Sequence, residues 1–79
     1  MHIHVKVATI LLKRADPPLA KRDFDCDCPD GTNIRALIDM LGIPADLVWS
    51  VTVNSRRSKI DRVIMPGDTV IIIPAISGG

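Results

Sequence analysis

One stretch of this chain carries sustained helical periodicity. Ile34, Leu37, Ile38 and Leu41 recur at i, i+3, i+4 and i+7, with Arg35, Asp39 and Met40 between them. A lone amphipathic helix must bury its apolar stripe against something, and nearly all the remaining pattern reads as strand. The chain therefore has to wrap a sheet around this helix. Thr32 is placed to cap the helix start by accepting a backbone N–H. Gly42 suits a left-handed cap just past Leu41, Ile43 supplies the apolar residue that folds back, and Pro44 stops continuation.

The strands follow from alternation. Between His2 and Leu12, the residues Ile3, Val5, Val7 and Leu11 share one face, and His2, His4 and Lys6 take the other. Lys13 to Arg22 holds Asp16-Pro17-Pro18 between two Lys-Arg pairs, which reads as the exposed, solvated tip of a wide hairpin whose return strand spans Ala20 to Cys28. Trp49, Val51 and Val53 alternate with Ser50, Thr52 and Asn54, which predicts a third strand with Trp49 in or beside the core. A polar turn, Asn54 to Arg57, ends it, and Lys59-Ile60 is the expected site of a very short fourth strand. Met65-Pro66-Gly67-Asp68 carries proline and glycine where a type II turn needs them. The last strand, Thr69 to Ile73, is apolar on both faces. One face is expected on the helix, leaving Ile71 and Ile73 as an exposed apolar strip.

Strand, strand, helix, strand, short strand, strand is the order of an α+β, β-grasp (ubiquitin-like) fold. The expected sheet is mixed, of four to five strands packed on one main helix, with the first and last strands parallel in the centre. At 79 residues this is one domain, 1–79, with a flexible C-terminal tail over 75–79.

Composition limits the partners. A net charge of +1 gives no global field toward nucleic acid or an anionic surface. No apolar run reaches the ~20 residues of a membrane span, and no cleavage site follows the N-terminal stretch. A cytoplasmic protein is expected, with neither nucleic acid nor membrane among its partners. If Cys26 and Cys28 lie on an extended strand, their Cα atoms are about 6.5–7 Å apart, too far for comfortable disulfide geometry. With only His2 and His4 as further ligands, no metal site is expected, and the histidines read as surface residues.

The remaining feature is chemical. The apolar strand is followed within a few residues by Gly78-Gly79, which presents a terminal carboxylate on a thin arm. Such a carboxyl is ionised at neutral pH and able to attack a phosphorus centre. Glycines lack Cβ and adopt backbone angles closed to other residues, so such an arm can thread a narrow channel.

Together, Asn54-Ser55, Asp61, Gly67-Asp68-Thr69-Val70, Ile71 to Ile73, Pro74 and Gly78-Gly79 resemble the ThiS/MoaD family of ubiquitin-like sulfur carrier proteins. The departures are Ser55 for a turn glycine, Thr69 for an acidic residue and Ala75 for a second proline. The resemblance implies a carrier that is not itself an enzyme and binds no cofactor. An ATP-dependent, ubiquitin-activating-like adenylyltransferase would adenylate the Gly79 carboxylate. A sulfur donor of cysteine desulfurase or rhodanese type would convert it to a thiocarboxylate, and an acceptor synthase large subunit would consume the sulfur. Gly78, Ser77 and Ile76 would give the tail access, and Ile71 and Ile73, rimmed by Arg56, Arg57 and Arg62, would bind the partner. The Pro74-Ala75-Ile76 ending favours an acceptor of molybdopterin synthase type over thiamine thiazole synthesis, although the short passage from Leu41 to Trp49 lacks the helical insertion common in the former. Two other readings are a protein modifier conjugated through Gly79 and a non-reactive β-grasp binding domain.

Overall fold

Five strands form one mixed sheet in the order β2-β1-β5-β3-β4. A computed structural model describes residues 1–75. The elements are β1 (His2–Val7), α1 (Thr9–Leu12), β2 (Asp23–Asp27), α2 (Ile34–Met40), a 3-10 turn at Ala45–Leu47, β3 (Val48–Val53), β4 (Arg56–Ser58) and β5 (Thr69–Pro74). β1 and β5 run parallel in the centre, and β2, β3 and β4 add antiparallel. This is the ubiquitin-like β-grasp.

The core follows from the two periodicities. Ile3, Val5, Val7, Val51, Val53, Val70 and Ile72 leave one face of the sheet and meet Ile34, Leu37 and Ile38 from α2. Seven residues are too few for an isolated helix to persist in water. Burial of those three side chains, on the order of 4–9 kcal/mol in transfer free energy, holds α2 in place.

The cap at the start of α2 is Asn33 rather than Thr32. The Asn33 side chain accepts from the Ala36 N–H at 2.8 Å, while the Thr32 hydroxyl turns away to donate to the Pro29 carbonyl at 2.7 Å. The end of α2 is as expected. Gly42 sits at φ +70°, its N–H reaches Asp39 O, and the Ile43 N–H reaches Ile38 O at 3.1 Å, closing a Schellman motif.

Three other expectations are corrected. β1 stops at Val7, and Thr9–Leu12 coils into a short helix that still buries Leu11. The segment from Lys13 is therefore not simply an exposed hairpin tip. Ala15 is buried, and the Asp16 N–H donates to Gly42 O at 2.9 Å, so the segment is pinned to the end of α2 and β2 begins only at Asp23. The fourth strand is Arg56–Ser58 rather than Lys59-Ile60, because Asn54 and Ser55, at φ 52° and 70°, make the whole β3–β4 turn in two residues. A serine in that left-handed position is strained. Ser55→Gly is expected to raise stability by about 0.5–1 kcal/mol, less than the full strain because glycine also loosens the unfolded chain, and urea unfolding measures it.

Candidate functional site

β5 carries the chain from Thr69 to Pro74 through the centre of the sheet, and its start is fixed by a polar clamp. Asp68 is buried, accepting from Asn54 Nδ2 at 2.8 Å and from the Met65 N–H at 2.9 Å. Asn54 Oδ1 in turn accepts from the Thr69 N–H at 2.9 Å. Gly67 at φ +83°, with the Asp68 N–H reaching Met65 O, completes the expected turn. Two conspicuous sequence positions, Asn54 and Asp68, thus lock the β3–β4 turn to the head of β5.

From there the alternation is strict. Val70 and Ile72 are buried under α2, and Ile71 and Ile73 point to the opposite face. They are half-buried rather than an exposed strip, because β1 and β3 flank them. Register places Ile71 in a row across the sheet: Asp23 on β2, Lys6 on β1, Ile71, Thr52 on β3 and Arg57 on β4. Thr52 Oγ1 is shielded from solvent and has no hydrogen-bond partner among the described residues. Beyond the end of β1, a groove of about 340 Å³ opens between Lys6, Ala8, Arg22, Ile71, Ile73 and Pro74.

Of the three arginines singled out from the sequence, Arg57 falls in this row. Arg56 sits opposite Val53 on the edge strand with the other parity. Arg62 lies in the loop crossing the start of α2, where its carbonyl accepts from the Ile34 N–H, and the sheet does not bring it to Ile71. Lys6, directly beside Ile71, went unnoticed because its neighbour is set by a parallel register with a strand more than sixty residues away.

Trp49 is the other correction. It shares parity with buried Val51 and Val53, yet it is 64% exposed. Val48 pairs with Pro74 and Ser50 with Ile73, so β3 has one residue too many, and the bulge turns Trp49 out of the core. The Arg57 guanidinium lies 4.9 Å from the indole centroid, close enough for cation–π attraction. The Ala75 N–H donates to Leu47 O at 2.7 Å, so the outgoing chain is held beside this bulge. Ile76, Ser77, Gly78 and Gly79 lie outside the described residues.

At the other side of the open face, histidines and aspartates interleave. His2 Nδ1 is 2.8 Å from Asp27, His4 Nδ1 is 2.7 Å from Asp25, His4 Nε2 meets Asp23, and His2 Nε2 lies 3.6 Å from Asp25. The hydrogen bond to Asp27 raises the pKa of His2, that to Asp25 raises His4, and that from His4 lowers Asp25. The histidine pairs contribute fully below the ordinary imidazole range and are lost as pH rises through the raised values. The Asp25 contribution is present above the ordinary carboxylate range and is lost as pH falls through the lowered value. Stability from the ladder is therefore greatest between about pH 4 and 6.5. The urea midpoint is expected to fall from about pH 6 to 8, and a His2→Asn, His4→Asn double variant should flatten that fall. Because the aspartates and His2 are exposed and His4 is only partly buried, added salt should shrink the effect.

Neither cysteine supplies an activated nucleophile here. Both are free, Cys28 is buried, and burial raises the pKa of Cys26, disfavouring its thiolate. Among the described residues, no group of three or more His, Cys, Asp or Glu side chains is arranged to hold a metal ion, and no helix is long and apolar enough to cross a membrane.

The fold and its open face define a ubiquitin-like β-grasp protein, and solved structures agree. The crystal structure of SAMP1 from Haloferax volcanii superposes with a TM-score of 0.71 at 18% identity over 100% of both chains. A second crystal structure, of H. volcanii small archaeal modifier protein 1, gives 0.70 at 17% identity, covering 95% of this chain and 98% of that one. The solution structure of Urm1 from Trypanosoma brucei gives 0.69 at 24% identity, covering 99% of this chain and 95% of that one. At these identities the likeness is one of fold. No protein-family model and no curated protein matches the sequence.

Proposed function

We propose that this chain is a ubiquitin-like sulfur carrier. Its Gly79 carboxylate is adenylated by an ATP-dependent activating enzyme, converted to a thiocarboxylate by a sulfur donor, and used as a sulfur source in cofactor biosynthesis. The observation that carries the reading is β5, a central strand clamped at its head by Asn54 and Asp68 and followed in the sequence, four residues after Pro74, by Gly78-Gly79. The half-buried Ile71 and Ile73, the unpartnered Thr52 hydroxyl and the flanking Lys6 and Arg57 make a face suited to a protein partner. Lys6 and Arg57 would mainly guide encounter and register with acidic groups on that partner. Chemistry resides in the tail and in the partners, so the chain acts as a co-substrate with no cofactor of its own.

The acceptor we favour is of molybdopterin synthase type, on the strength of the Pro74-Ala75-Ile76-Ser77-Gly78-Gly79 ending. A second reading, conjugation of the same activated carboxyl to an amine, is favoured by the structural likeness to a protein described as a small archaeal modifier. ATP–pyrophosphate exchange with an activating enzyme tests what both readings share. Exchange that depends on this chain supports them, and its absence with an enzyme active on its own carrier refutes them.

A further inference from the structure

The bulge in β3 puts the largest apolar side chain of the molecule into water. Trp49 is the single tryptophan, and it has the sequence parity of buried Val51 and Val53, yet the extra residue between Val48 and Ser50 sets it outside the core. Bulges of this kind re-aim a side chain and are common beside functional sites. Arg57 fixes where the ring stands. It pairs with Thr52, which alternates away from Val51 and Val53, and its guanidinium lies over the indole, so both side chains occupy the open face of the sheet. Beside the ring is a hollow of about 200 Å³ lined by Trp49, Ser50, Arg57, Ser58 and Ile60. Among the described residues Arg57 takes part in no ion pair. The position along the sheet matters as much as the exposure. Val48 pairs with Pro74, Ser50 with Ile73, and the Ala75 N–H donates to Leu47 O, so the last described residues run alongside the bulge.

We infer that Trp49, held by Arg57, is the anchor for the protein that acts on the Gly79 carboxylate, an inference that rests on the proposed carrier role. Four residues beyond Ala75 span at most about 14 Å. A partner whose active site takes that carboxylate therefore comes within this distance of Ala75, and the bulge stands beside it. The surface that fits is an apolar recess deep enough for an indole, with an aspartate or glutamate at its rim facing Arg57. An indole entering a desolvated pocket is the kind of contact that carries a large share of binding energy, and the guanidinium stacked on it orders the ring before the partner arrives. Arg57 then sets orientation through its charge.

The test is ATP–pyrophosphate exchange with an activating enzyme while the concentration of the full chain is varied. Trp49→Ala, whose fold is checked by its urea midpoint, should raise the KM for this chain at least about tenfold and leave kcat within about twofold. Trp49→Phe keeps a flat apolar ring and should recover most of that loss. Arg57→Gln should raise KM severalfold and weaken its dependence on salt. Met40→Ala removes another exposed apolar side chain, on α2, and should change nothing. Because the chain has one tryptophan, labelling with 5-fluorotryptophan gives a single fluorine resonance. That resonance should shift when the enzyme is added without ATP. An unchanged KM in Trp49→Ala, a fall in kcat alone, or an unshifted fluorine resonance would overturn the anchor while leaving the carrier role intact. Absence of exchange with the wild-type chain, by an enzyme active on its own carrier, would overturn both.

Discussion

Deletion of Gly79 is expected to abolish ATP–pyrophosphate exchange with the activating enzyme while leaving the urea midpoint unchanged. The shortened chain still ends in a glycine carboxylate, so the reacting group keeps its chemistry and its ordinary acidity. What it loses is reach, about 3.5 Å for one extended residue. In a reaction governed by positioning, a misplacement of even ~1 Å can cost ~10²-fold. Glycine brings no side chain to a core, and the described core cluster runs from Ile3 to Ile72. Stability should therefore be indifferent to the deletion. Exchange that survives at more than a few per cent would remove Gly79 from its assigned role.

The largest effect on stability is expected at Gly42. Its φ of +70° is costly for any residue with a Cβ, by about 1–2 kcal/mol. A methyl group there would also overlap the Asp16 carbonyl oxygen and sit 2.8 Å from its carbon and 2.9 Å from its nitrogen, all backbone atoms with no rotamer to yield. Relief means pulling the 13–22 segment off the end of α2, with loss of the Asp16-to-Gly42 hydrogen bond at a further 0.5–1.5 kcal/mol or so. Gly42→Ala should thus cost roughly 2–4 kcal/mol, a large share of the order of 4–12 kcal/mol available to a domain of this size. Gly31, at φ +89° but with open space where its Cβ would be, supplies the comparison. Gly31→Ala should cost only about 1–2 kcal/mol. Equal losses in urea unfolding would mean that the close approach of Asp16 is not what makes Gly42 necessary.

The contrast between these glycines shows what a sequence displays and what it conceals. Gly42 as a helix terminator is a local matter, visible from the stripe before it and Pro44 after it. That it also admits the Asp16 backbone is a contact across the fold with no local signature. The type II turn at Met65–Asp68 and both faces of β5 were legible for the same local reason. Trp49 was misread because period-two alternation holds only while strands stay in register. One extra residue opposite Pro74 reversed its side, and only the pairing of β3 with β5 reveals it. Lys6 beside Ile71 and the His–Asp ladder likewise depend on registers between strands distant in sequence. The α1 turn was missed because Ile10, Leu11 and Leu12 are as apolar as a strand continuation would be, and a four-residue helix is too short to express a period.

The open face has a simple consequence for partner binding. Ile71 is half-buried and lies outside the α2 core, so Ile71→Asp should fold while placing a charge in the proposed contact surface. The proposed chemistry, however, takes place at the Gly79 carboxylate. Intact mass spectrometry of the full chain, incubated with ATP, an activating enzyme and a sulfur donor, reads that chemistry out. The expected product is heavier by the exchange of one oxygen for sulfur, localised to Gly79 by fragmentation. A chain whose mass is unchanged under conditions where the same enzymes thiolate their own carrier would contradict it.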